Sequence, residues 1–110
     1  MKPVTWLGDS RNAIGDFPKD ARYQVGTELR RVQRGEEPIS WRPMPAVGMG
    51  VNEIRVRVDK AYRVIYLAKF PEAVYVLHAF AKTENKTPKT EIELASRRYR
   101  ELIHNRRTLR

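Results

Sequence analysis

Polar and apolar residues alternate from Glu53 to Val58. Ile54, Val56 and Val58 fall on one side, and Glu53, Arg55 and Arg57 on the other. That period of two predicts a strand with one buried face and one polar face. Residues 62–70 (YRVIYLAKF) and 73–82 (AVYVLHAFAK) are apolar almost throughout, which predicts two central, buried strands. Short turns at 59–61 and 71–72 join the three into an antiparallel meander. Upstream, residues 3–7 (PVTWL) are β-branched and aromatic and predict a first strand. Asp9 or Ser10 stands in position to cap a short helix over 11–17. Ala21, Val25, Leu29 and Val32 are spaced four, four and three apart, one face of a helix over 19–34. Asp16 is its candidate cap, Pro18 belongs to its first turn, and Gly35 stands where it should end. Residues 36–50 hold three prolines and two glycines and read as loop, with room for a short edge strand around 41–47. After a polar loop over 83–88, Ile92, Ala95, Tyr99, Leu102 and Ile103 line one face of a closing helix, with Thr87 or Thr90 as its cap. The tail 105–110 is expected to fray. The fold class is α+β.

Length and composition narrow the function. The chain of 110 residues, 41% hydrophobic and 32% charged, predicts a single globular domain over 1–110. No apolar run approaches the ~20 residues of a membrane span, so no membrane partner is expected. Met1, Lys2 and Pro3 open no apolar leader, which predicts a cytoplasmic protein. The absence of cysteine excludes disulfides, thiolate metal sites and cysteine nucleophiles. His78 and His104 are the only histidines and lie far apart in sequence, so neither a metal nor another cofactor is expected. The chain has no phosphate-binding glycine loop, metalloprotease helix motif or nucleophile elbow.

Charge is more informative. There are 22 Lys and Arg against 13 Asp and Glu, a net charge of +9. Residues 1–54 carry eight of the former and seven of the latter, so nearly all the excess lies in the second half. Such segregation fits a polyanionic partner. Arg55 and Arg57 on one strand, Arg63 opening the next, and Lys82 closing the third could converge on one patch of sheet, with Lys86 following in the loop. Guanidinium forks match phosphate oxygens in pairs, and Phe80 or Tyr62 could stack a splayed base. Each residue also has a plainer reading. Arg55 and Arg57 also fit the polar half of an amphipathic strand, and Arg63 could pair with Glu53 or Asp59. His78 lies within an apolar run, where a hydrogen-bonded core histidine is the common case. Arg97, Arg98 and Arg100 fit a solvated helix face.

The strings WLGDS, GTELRRVQRGEEP, WRPMPAVGMGVNEIRVR, YRVIYLAKF, VYVLHAFAKTENKTP and EIELASRRY, in this order and spacing, resemble the phage-derived HigB-like branch of the RelE/ParE toxin superfamily. The resemblance spans residues 4–103. It implies a RelE-like α+β fold, with two N-terminal helices on a curved antiparallel sheet of about four strands and a C-terminal helix. It implies a type II toxin–antitoxin toxin that inhibits growth as a ribosome-dependent, metal-independent mRNA endoribonuclease. It also implies a small helix-turn-helix antitoxin as partner, beside the ribosome and mRNA. The catalytic positions would be Arg55, Arg63 and Lys82, with His78, Glu53 or Lys82 as general base. Arg57, Phe80, Lys86, Arg97 and Arg98 would hold RNA. Glu53 stands where RelE carries a second strand lysine, and the late catalytic tyrosine of that family has no counterpart here. The alternative within the superfamily is a ParE-like toxin that inhibits DNA gyrase without cutting RNA.

Overall fold

The computed structural model describes residues 1–83 and 86–108. Of the expected loop over 83–88, residues 84 and 85 lie outside the described residues, as do 109 and 110 of the expected tail. The elements are β1 (Val4–Trp6), α1 (Ser10–Gly15), α2 (Lys19–Gln33), β2 (Trp41–Pro43), β3 (Val51–Val58), β4 (Lys60–Leu67), β5 (Val74–Lys82) and α3 (Lys89–Thr108). The strands form one five-stranded sheet in the order β1-β5-β4-β3-β2. The expected sheet of about four antiparallel strands is thus corrected twice. β1 adds a fifth strand, and it pairs with β5 in parallel, Val4 opposite Val74. The expected meander is present as β3–β4–β5, antiparallel at both junctions.

Both sheet faces are covered, but unequally. On the first face α1 lies against β5 and α2 against β3. Ala21, Val25, Leu29 and Val32 of α2 pack there with Ile54, Val56, Val64, Tyr66 and Val76. On the second face Ala95 and Leu102 of α3 pack with Val51, Ile65, Leu67, Leu77 and Phe80. Pairing between β4 and β5 shifts after Ile65. Ile65 faces His78, whereas Tyr66 faces Val76, so Leu77 is an extra residue in β5. This β-bulge reverses the parity of the strand. Val74 and Val76 point to the first face, as does Ala79, while His78, Phe80 and Lys82 point to the second.

Several local expectations change. Asp9 precedes α1 and Pro18 precedes α2, and neither helix has a side-chain cap. Asp9 instead binds Arg98 across the molecule, at 2.7 Å. Gly35 ends α2 with φ of 84°, the left-handed conformation that glycine adopts without penalty. α3 starts after Pro88, so Thr87 and Thr90 do not cap it, and it stays helical to Thr108 where fraying was expected. No described helix is long and apolar enough to cross a membrane.

Two ion pairs tie α3 down. Arg98 holds Asp9, and Arg106 holds Glu72 through both carboxylate oxygens, at 2.7 and 3.1 Å. The Arg106 hydrogen bonds, with help from the Tyr75 hydroxyl, hold the Glu72 carboxyl down to about 2, and Arg98 lowers Asp9 in the same way. A carboxylate depressed in the folded state contributes stability above its ordinary pKa of 4.5 and loses it as pH falls toward 2. Amide protection in the last turns of α3 should therefore drop between pH 4.5 and 2 before that of β4. In Glu72→Gln the protection should be lower from the start and that pH step should shrink. Hydrogen-exchange protection factors check this.

Candidate nucleic-acid interface

α3 covers only the half of the second face that is apolar. Beyond it, toward the β3–β4 hairpin, the face carries Arg55 and Arg57 from β3, Arg63 from β4 and Lys82 from β5. Register brings them together: Arg55 pairs with Arg63, Arg57 with Ala61, and Ala61 with Lys82. With Lys60, Ala61 and Thr83 these four side chains line an open hollow of about 510 Å³. The three cations named as catalytic from the sequence are therefore neighbours along one open hollow, with Arg55 exposed and Arg63 and Lys82 largely buried in its wall.

One carboxylate sits beneath them. Glu53 has no solvent exposure at all, although the strand pattern placed it on the polar side with Arg55 and Arg57. Its Oε1 meets Arg42 Nε at 3.0 Å and Arg63 Nε at 3.5 Å, and its Oε2 accepts from Thr87 Oγ1 at 3.4 Å. Arg42 also donates to Thr87 Oγ1, at 3.2 Å. Of the two partners open for Arg63 in the sequence, the structure chooses Glu53. Arg42 and Thr87 were not foreseen as site residues. Arg42 lies next to a proline in a loop-like stretch, and only its pairing opposite Glu53 reveals its place.

The pairing does not use up Arg63. Its Nη1 donates to the Tyr62 carbonyl at 3.1 Å, but its buried Nε has no acceptor in hydrogen-bonding geometry among the described residues. Burial, followed by the charges of Arg55, Arg42 and Arg57, weakens its hold on its proton, and Glu53 opposes them. A guanidinium stays charged regardless, so the effect is a cation short of compensating charge. Lys82, only 8% exposed, is pushed below the ordinary lysine range, first by burial and then by Arg63; Glu53 opposes the shift, and Arg42 and Arg55 add to it. A lysine so placed transfers protons nearer neutrality than a free one.

Other sequence candidates lie elsewhere. The His78 Nε2 is 3.0 Å from Glu91 Oε2 and its ring stacks on Phe80, centroids 5.3 Å apart, beneath α3. Phe80 is itself buried in the α3 core cluster and has no open face for a base. Tyr62 is buried on the opposite side of the sheet against Phe17. Arg98 is spent on Asp9 and on the Leu77 carbonyl, at 2.9 Å. Arg97 is exposed on α3 and Lys86 in the loop before it, and neither lines the hollow.

The buried charges make opposite predictions for stability. Removing Glu53 leaves Arg63 and Arg42 without their counter-charge. Glu53→Ala should cost about 3–5 kcal/mol in urea unfolding. Lys82→Met removes a buried cation with no carboxylate within ion-pair distance among the described residues. It should leave the urea midpoint unchanged or raised, as expected for a group kept at a functional site at some cost in stability.

Among protein families, the one described as phage-derived protein Gp49-like (DUF891) matches residues 12–100. That span includes Arg55, Arg63 and Lys82 and most of every element except β1 and the end of α3. No curated protein matches the chain.

Proposed function

The chain belongs to the phage-derived Gp49-like family, a RelE-like toxin family of toxin–antitoxin systems, and from that premise we propose that it is a HigB-like toxin that cuts messenger RNA on the translating ribosome. The observation that carries this reading is the open hollow in which Arg55, Arg57, Arg63 and Lys82 converge above a single buried carboxylate. A phosphodiester supplies the negative charge that this surface lacks.

The reaction is a transfer within the RNA. The 2′-oxygen bonds to the adjacent phosphorus, the bond from phosphorus to the 5′-oxygen breaks, and a 2′,3′-cyclic phosphate and a 5′-hydroxyl remain. The 2′-hydroxyl gives up its proton to solvent water, and the leaving oxygen takes one from Lys82. Arg63 and Arg55 bind the phosphate and offset the charge that grows on it in the transition state. Lys82, with its weakened hold on a proton, supplies the leaving oxygen. In this reading Glu53 and Arg42 hold Arg63 in place, and His78 supports the α3 contact. Family membership implies an antitoxin partner. We take it to be a small helix-turn-helix protein that masks the hollow with acidic side chains, and the site of action to be the cytoplasm.

Induced expression should arrest growth, and transcript 5′ ends should then fall in register with codons. Arg63→Ala and Lys82→Ala should each relieve the arrest and slow cleavage of ribosome-bound message by about 10²–10⁴-fold while the protein remains folded. DNA damage with intact transcripts would instead identify a gyrase inhibitor and end the nuclease reading.

A further inference from the structure

A second hollow, of about 440 Å³, lies on the other flank of the arginines. It shares Arg55, Arg57, Ala61 and Arg63 with the first and extends to Gln24 and Glu28 of α2 and to Ile39 and Ser40 before β2. Its chemistry differs from that of the cationic hollow. Ile39, 76% exposed, offers apolar surface, and Gln24, Ser40 and Glu28 offer hydrogen-bonding groups.

The wall is built rather than incidental. Apolar packing of Val25 and Leu29 on the sheet brings the neighbouring Gln24 and Glu28 to the α2 flank beside β3. The Arg55 N–H donates to the Ser40 carbonyl at 2.9 Å, which fixes the chain before β2 against β3. The Ile39 N–H donates to Glu28 Oε2 at 2.9 Å, and Arg31 Nε lies 3.8 Å from the same oxygen. Both contacts fall on Oε2. A carboxylate has about four acceptor positions, so Glu28 keeps capacity for donors from a ligand.

We propose that this second hollow is a nucleobase subsite, in which Glu28 and Gln24 read a base that carries an exocyclic amino group and disfavour uracil. The inference rests on the RNA reading above. A nucleotide phosphate held by Arg55 and Arg63 places its sugar and base within reach of the adjoining hollow, because the two hollows share those side chains. Adenine, cytosine and guanine each present an amino N–H on the pairing edge to a carboxylate. Uracil presents one ring N–H between two carbonyl oxygens, which a carboxylate repels. The Gln24 amide offers both a donor and an acceptor to the rest of the edge. Ile39 supplies an apolar contact for the ring.

The full-length protein, made by cell-free synthesis, is titrated with 5′-AMP, 5′-CMP, 5′-GMP and 5′-UMP and followed by backbone amide NMR. The three amino-bearing nucleotides should bind about tenfold more tightly than UMP, the scale of one well-made base contact. Their shifts should centre on residues 24–40 and 55–63. Glu28→Gln should bring all four within about twofold of one another by weakening the first three and leaving UMP unchanged. The exposed Gln24→Ala, which breaks no packing, should narrow the preference in the same direction if Glu28→Gln does not fold. Equal binding of all four, with loss of binding in Arg63→Ala, overturns the base subsite and leaves the phosphate reading standing. Binding of none of them overturns both.

Discussion

One extra residue in β5 decides whether Lys82 joins the arginines of β3 and β4 on one face of the sheet. In an unbroken strand, residues two apart share a face, so Lys82 would follow Val74 and Val76 beneath the N-terminal helices. The bulge at Leu77 reverses that order, and Lys82 emerges beside Arg63. The same reversal carries His78 and Phe80 to the second face, where α3 covers them. A bulge sacrifices regular pairing and strengthens local twist, and it recurs where a side chain must be re-aimed. Here it brings β5 onto the surface that β3 and β4 already share through Arg55 and Arg63.

Placing several cations on adjacent strands raises an electrostatic problem that the fold solves only in part. Glu53 offsets Arg42 and Arg63 from below, and Thr87 completes its contacts. Arg55, Arg57 and Lys82 gain no comparable partner among the described residues. Full neutralisation would stabilise the domain but leave little field for an anion. Partial neutralisation fixes the geometry of Arg63 and leaves its buried Nε without an acceptor. The depressed proton affinity of Lys82 has the same origin, since burial and the nearby guanidiniums both disfavour its charge.

α3 divides the second face between packing and chemistry. Its apolar stripe takes the Ile65, Leu67 and Leu77 end of the sheet, and its ion pairs to Asp9 and Glu72 anchor it to the body. The basic side chains at its surface therefore differ in kind from those on the strands. Arg98 and Arg106 are structural ties, whereas Arg97 is exposed to solvent. A count of Lys and Arg alone cannot separate these roles, because a guanidinium adds the same positive charge to that count whether it binds a partner carboxylate or faces water.

Much of the architecture was legible from local pattern. The spacing of Ala21, Val25, Leu29 and Val32 placed α2, the alternation after Glu53 placed β3, and two apolar runs placed β4 and β5. The resemblance that pointed to a RelE-like toxin likewise lay in the order of short strings along the chain. Helix capping was misread at Asp9 and Thr87, because both side chains are drawn to distant cations, Arg98 and Arg42. The sequence by itself determined the elements and the positively charged side of β3, since those depend on the periods of 3.6 and 2 along a single segment. The tertiary structure decided which side Lys82 and His78 face, that Glu53 is buried under Arg42 and Arg63, and that α2 and the chain before β2 wall a second hollow. A strand without polar alternation carries no record of its own parity, and a charge finds its partner through register between segments that are remote in the chain.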